Sequence, residues 1–259
     1  MGTALQLQGV SISFGGLTAL DGIDLGVAHG EIVALIGPNG AGKTSLFNCI
    51  SGVYRPSRGS ITFHGRELVG LEPHQIVALG IGRTFQNIEL FAGMTVLDNL
   101  LLGTHARRSV GVVAEAVRLP GFLREERHAV ARAHALLAAS GTGLHGDEIA
   151  SELPYGLQKE VEVLRALAME PTLLLLDEPA AGMTEDEASG LADVIVQLRD
   201  ARGISVVLVE HNVGFVMSAA DHIAVLDHGK RIAFGTPEEI RSDPAVIRAY
   251  LGSAETKRP

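Results

Sequence analysis

Cysteine occurs once in the 259 residues, at Cys49, which excludes a disulfide framework and a thiolate metal site. Basic residues are outnumbered: the formal charge is −9 and no Lys/Arg tract occurs, so a nucleic-acid backbone is not expected as a partner. No apolar run approaches the ~18 residues that a membrane-spanning helix needs. No basic segment followed by an apolar stretch opens the sequence, so an export signal is not expected either. None of the ten histidines pairs at H-E-x-x-H or similar metal-binding spacing. These absences describe a cytosolic chain of a reducing compartment, long enough to bury a full core as one or two domains.

What the sequence does hold is Gly37-Pro38-Asn39-Gly40-Ala41-Gly42-Lys43-Thr44, a match to the phosphate-binding loop G-x-x-x-x-G-K-[ST]. Its flanks fit as well. Glu31–Ile36 is a short apolar run, the pattern of a strand buried on both faces, and Ser45–Ile50 reads as a helix that stops at Gly52. Glycines let successive backbone N–H groups turn inward into an anion nest, to which a helix N-terminus adds its positive dipole end. In that geometry Lys43 reaches the β- and γ-phosphates and the Thr44 hydroxyl ligates Mg²⁺. A nucleoside triphosphate is the expected ligand.

The remaining segments take positions around this loop. Leu5–Ser13, Ile23–Ala28 and Gly59–Gly65 suggest a small antiparallel sheet, with Phe14 at the end of its first strand where an aromatic ring can stack on a base. Met94 to Ala139 reads as mostly helical, with Thr95 capping one helix and Phe122–Ala139 forming another. Gly141–Gly146 fits the dinucleotide pattern G-x-G-x-x-G, but it follows a helix instead of a strand, so a loop is expected. Leu153–Lys159 opens a helix in which Pro154 is acceptable in the first turn. Leu173–Leu176 is a buried strand ending in Asp177 and Glu178, carboxylates suited to holding a Mg²⁺ shell and to priming an attacking water. Thr184-x-x-Glu187 is a capping box before a helix over Ala188–Arg199, and Ser205–Val209 is a second buried strand that ends at Glu210-His211. A hairpin around Gly229 and two short C-terminal helices complete the chain.

Together these pieces resemble the ATPase subunit of ABC transporters over nearly the whole sequence. The resemblance implies an α/β fold of the P-loop NTPase type: a RecA-like core with a small antiparallel β subdomain (1–87 and 161–235), a helical subdomain (88–160) and a C-terminal helical extension (236–259). Gly37–Thr44, with Ser45 beside it, then matches the Walker A loop, and Leu173–Glu178 the Walker B strand with the catalytic glutamate Glu178. Gln86 matches the glutamine that reaches Mg²⁺ and the membrane subunits, His211 the switch histidine near the γ-phosphate, and Phe14 the adenine-stacking aromatic. Metal ligation falls to Thr44, Gln86 and Asp177. Leu153, Pro154, Tyr155, Gly156, Leu157 and Gln158 stand where the family has L-S-G-G-Q, the segment that closes over the partner subunit's nucleotide. Here Pro154 replaces the serine and Leu157 the glutamine, so backbone N–H groups alone would meet the phosphate.

Arg83-Thr84-Phe85-Gln86, the Tyr155-Gly156 variant, Asp177–Gly182 and the tail Asp243–Gly252 narrow the resemblance to the larger ATPase subunit of branched-chain amino-acid importers, with urea and amide importers close by. That branch implies ATP and Mg²⁺ as cofactors and a second ATPase chain, in a heterodimer or a homodimer. It also implies transmembrane permeases and, indirectly, a periplasmic binding protein, with this chain peripheral on the cytoplasmic face of the inner membrane. A lipid or polysaccharide exporter ATPase, a soluble ABC factor, a small-molecule kinase and a GTPase are the alternatives. The last lacks its N-K-x-D guanine motif here, and a soluble factor lacks a tandem cassette.

Overall fold

The computed structural model describes residues 2–84, 89–105 and 120–255. Two sheets share the chain. Strands β1 (Thr3–Phe14), β2 (Leu17–Ala28), β4 (Arg58–Phe63) and the short β5 (Arg66–Glu67) form an antiparallel sheet in the order β2-β1-β4-β5. The second sheet has six strands in the order β10-β9-β3-β8-β7-β6: β3 (Ile32–Ile36), β6 (Ile81–Arg83), β7 (Leu173–Asp177), β8 (Ser205–Val209), β9 (His222–Asp227) and β10 (Lys230–Gly235). All its neighbours run parallel except the β9–β10 hairpin.

The continuous apolar runs in β3, β7 and β8 follow from burial on both faces. Val33, Leu35, Leu175 and Val207 face one core, shared with helix α1 (Lys43–Ile50) and the inner face of the antiparallel sheet. Ile32, Leu174, Leu176 and Leu208 face a second core built against the helices. These are α3 (Val96–His105), α4 (Pro120–Ser140), α5 (Tyr155–Ala168), α6 (Glu185–Arg202) and α7 (Val213–Ala219). Each leucine so enclosed contributes roughly 1.5–3 kcal/mol. Helix α2 (Pro73–Ala78) precedes β6, and α8 (Pro237–Ser242) and α9 (Pro244–Glu255) close the chain.

The antiparallel sheet, the two buried strands, the hairpin and the C-terminal helices fall where the sequence places them, and Gly141–Gly146 is a loop between α4 and the 3-10 turn Ala150–Glu152. The Thr184 capping box forms, with the Thr184 hydroxyl 2.8 Å from Glu187 Oε2, but its helix starts at Glu185, three residues before the expected Ala188. Pro154 is the N-cap of α5 and lies outside the first turn. Strand β6 was not anticipated: three residues carry no periodicity, and their pairing with Leu173–Leu175 alone makes them a strand. The expected boundary at residue 160 falls inside α5, which continues unbroken to Ala168.

Cys49 is 3% exposed on α1, and burial pushes its thiol up to about 11 from 9.0. The folded state disfavours the thiolate, so the stability this group contributes is fully present below pH 9 and declines as pH rises towards 11. A thiol reagent at pH 8 is expected to leave the native chain unlabelled and to take up one equivalent per chain in denaturant. Rapid native labelling would contradict the packing of α1.

Candidate functional site

Four parallel strands deliver their carboxyl ends to one edge, the place where open α/β sheets bind ligands. β3 runs into the Gly37–Thr44 loop, β7 ends at Asp177-Glu178, β8 at Glu210-His211 and β9 at Asp227-His228. A cleft of about 340 Å³ opens there, lined by Asn39 to Ser45, Glu178 and His211, and also by Leu17 and His228.

The loop needs its glycines for lack of space. Gly37 (φ 149°) packs its α-carbon against the Leu226 carbonyl of β9, leaving no room for a β-carbon. At Gly42 (φ 103°) a β-carbon would lie 2.6 Å from the Ala19 carbonyl. Lys43 is 6% exposed and its ammonium donates to the carbonyls of Gly37 (2.7 Å) and Pro38 (3.0 Å), folding back over the loop. Burial pushes that ammonium below its ordinary range, opposed by the nearby Glu178 carboxylate. From the C-terminal helix, the Tyr250 hydroxyl accepts the Gly37 N–H; its phenol is raised by burial against that bond.

Glu178 leaves β7 with φ 50°, a left-handed backbone that a non-glycine residue adopts at a cost. The turn aims its carboxylate at His211, whose Nε2 lies 3.1 Å from Oε1. The two strand-end residues singled out in the sequence are thus in direct contact at the cleft. Behind them sits Glu210, 3% exposed, whose role the sequence did not reveal. Its Oε1 accepts the Ala180 N–H (2.7 Å), and its Oε2 accepts the N–H groups of His211 (2.7 Å) and Asn212 (3.0 Å). One buried acid ties the segment after Glu178 to the segment bearing His211. An acid directly after a fully apolar strand was the available signal, because a buried carboxylate must find donors.

Asp177 is 6% exposed, and its Oδ2 accepts from Arg83 at 3.0 Å. Its other oxygen and the Thr44 hydroxyl make no hydrogen bond to another described residue. Two uncommitted oxygen donors beside a phosphate loop suit a hard divalent cation such as Mg²⁺, which shares its ligands with nucleotide phosphates. Among the described residues no group of three or more His, Cys, Asp or Glu gathers as a metal cage. Phe85 and Gln86 lie outside the described residues. Phe14 is 44% exposed at the end of β1, and Tyr54 meets it edge-on at 5.1 Å, a second ring that the sequence did not single out.

The Leu153–Gln158 segment stands apart from this cleft. Leu153 is buried, Tyr155 exposed, Leu157 packs against the helical core, and Gln158 turns back to donate to the Leu153 carbonyl at 2.8 Å. Gly156 abuts Glu187: a β-carbon there would lie 2.8 Å from Oε1. Hydrogen bonds from the Thr184 backbone and hydroxyl hold the Glu187 carboxyl below its usual range, so it stays ionised beside the start of α5. Glu160, one turn on, is 9% exposed with Oε2 buried and without a hydrogen bond. Burial raises its carboxyl to about 7; a Thr142 hydrogen bond opposes the shift and Glu187 adds to it.

The chain is similar to known proteins along its whole length. The family model described as "ABC transporter" matches residues 20–181, and one described as "Branched-chain amino acid ATP-binding cassette transporter" matches 230–256. The high-affinity branched-chain amino acid transport ATP-binding protein LivG of Salmonella typhimurium is 43% identical over 250 residues, 96% of this chain and 98% of LivG. Its counterpart BraF of Pseudomonas aeruginosa is 42% identical over the same coverage. Among solved structures, a nucleotide-free ATP-binding cassette from an ABC transporter superposes with a TM-score of 0.82 at 32% identity, covering 96% of this chain and 99% of the other. The ADP conformation of an ATP-binding cassette gives 0.84 at 31%, covering 97% and 100%.

Because the folded-state carboxyl of Glu160 is raised from 4.5 to about 7, its contribution to stability is complete below pH 4.5 and lost as pH climbs through 7. Glu160→Gln is therefore expected to stabilise the chain at pH 8, by about 1–2 kcal/mol after allowing for solvent access, and to change little at pH 4.5. Denaturant midpoints of both proteins at the two pH values measure this; equal midpoints at pH 8 would contradict the burial.

Proposed function

The chain belongs to the ABC transporter ATP-binding family, and on that premise we propose that it is the ATP-hydrolysing subunit of an importer for branched-chain or other hydrophobic amino acids. The observation that carries the ATPase reading is the contact of Glu178 with His211 at 3.1 Å across the cleft that holds Lys43. The substrate class rests on the match of residues 230–256 and on what LivG and BraF are described as transporting.

Each residue has work in that reaction. Residues Asn39 to Thr44 line the cleft and offer backbone N–H groups to the phosphates, and Lys43 exchanges its two loop carbonyls for the triphosphate oxygens. Phe14, with Tyr54 edge-on behind it, offers a face for adenine. Thr44 and Asp177, with Gln86, would hold Mg²⁺, which neutralises charge on the β- and γ-phosphates. Glu178 accepts a proton from the attacking water, and His211 keeps that carboxylate aimed at the cleft. Glu210 fixes the His211 backbone, so the histidine is presented on a rigid support.

We place residues 1–87 and 161–235 in the nucleotide-binding core, 88–160 in a helical subdomain and 236–259 in a C-terminal extension. In this reading a second ATPase chain lends its own signature helix, two ATPs are sandwiched, and closure drives permease subunits fed by a periplasmic binding protein. The chain then works at the cytoplasmic face of the inner membrane. Its own signature departs from the family pattern: Pro154 supplies no hydroxyl, and the ionised Glu187 occupies the field of the α5 N-terminus that a phosphate would use.

Glu178→Gln tests the assignment. Assembled with its partners, the variant is expected to bind ATP as the parent does and to lose at least ~100-fold in turnover; purified ATPase subunits carrying it are expected to accumulate with ATP as a closed dimer on gel filtration. Parental turnover would remove Glu178 from the role.

A further inference from the structure

Arg83 has no place in the chemistry above, yet it touches both α1, which carries Thr44, and the end of β7, which carries Asp177. From the end of β6 its Nη2 donates to Asp177 Oδ2 at 3.0 Å, at the end of β7. Its Nη1 donates to Asn48 Oδ1 at 2.8 Å and to Ser51 Oγ at 2.7 Å, at the far end of the helix that begins with Lys43 and Thr44. The guanidinium carbon lies 5.7 Å from the centroid of the Phe47 ring, also on α1. The Arg83 and Asp177 side chains are 12% and 8% exposed, so neither is a mobile surface group.

We propose that Arg83 is a positioning residue for the Mg²⁺-bearing carboxylate, a rigid bracket that fixes the Asp177 rotamer relative to Thr44. The guanidinium is suited to this because its donors sit in a planar fork: one arm grips α1 while the other grips Asp177. No other side chain among the described residues hydrogen-bonds to the Asp177 carboxylate, so its orientation depends on this arm. Only Oδ2 is engaged, and Oδ1 is left for the cation shell. Mg²⁺ demands near-ideal octahedral geometry, so the bracket acts through the aim of the carboxylate, against the repulsion between a nearby guanidinium and the cation. The bracket therefore raises the affinity for Mg²⁺ although it carries positive charge.

This rests on the ATPase reading, and one experiment separates the two. A fluorescent ATP analogue is titrated into the full chain in EDTA and then over a range of Mg²⁺, with wild type, Arg83→Met and Arg83→Lys. In EDTA the three proteins are expected to bind the analogue within twofold of one another. The Mg²⁺ concentration for half-maximal tightening is expected to rise about tenfold in Arg83→Met, the scale on which groups supporting a metal ligand act. Arg83→Lys retains the charge and stem and so the fold, but it lacks the fork and is expected to stay within threefold of Arg83→Met. Combined with Asp177→Asn, Arg83→Met should add nothing further, because both act through one carboxylate. A wild-type Mg²⁺ requirement in Arg83→Met and Arg83→Lys, or an equal loss of affinity with and without Mg²⁺, would overturn the bracket. Failure of the wild type to bind the analogue would overturn the ATPase reading instead.

Discussion

The site depends on one spatial constraint: the bend between β3 and α1 has backbone on both sides and no volume for side chains. The Leu226 carbonyl presses on Gly37 from β9, and the Ala19 carbonyl on Gly42 from β2. Glycine is therefore required where the chain turns, and the turn brings N–H groups and the start of α1 to bear on a single point. The same enclosure explains why Lys43 is buried and bonded to carbonyls of its own loop. The strands supply rigidity: four fully buried residues of β3 and five each of β7 and β8 hold the strand ends in register, so that Glu178 and His211 meet across neighbouring strands.

Much of this was legible in the sequence because the informative residues are contiguous. Gly37–Thr44 announces its chemistry within eight positions, and the runs Leu173–Leu176 and Ser205–Val209 announce strands through continuous apolarity, with acids and a histidine directly after them. The illegible parts come from contacts between distant segments. Strand β6 exists through pairing with β7, the Arg83 bridge joins residues 35 and 94 positions apart, and Tyr54 reaches Phe14 from another element. Glu210 was visible as an acid in the right place, but its three amide partners follow only from the turns after β7 and β8. Leu17 and His228 reach the cleft because the β1–β2 and β9–β10 hairpins fold towards it, a matter of topology that no local pattern encodes.

The signature segment shows the limit of carrying roles over by motif. Position by position, Leu153–Gln158 aligns with a phosphate-binding turn; in the fold, its surroundings are those of a helix start whose dipole is already answered. Glu187 closes the Thr184 capping box and, in the same position, lies against Gly156, so one carboxylate caps α6 and occupies the field of α5. Tyr155 extends this junction: a β-carbon on Gly182 would meet its ring at 3.1 Å, which packs the start of α5 against the turn that follows Glu178.

The same packing links the start of α5 to the cleft. An ionised Glu187 stands beside the α5 N-terminus, and the Tyr155 ring that opens the helix rests on Gly182, four residues after Glu178. Glu210, bonded to the Ala180 N–H, ties that same turn to the backbone of His211. Three backbone amides and one aromatic ring thus join the start of α5 to the strand ends that carry Glu178 and His211.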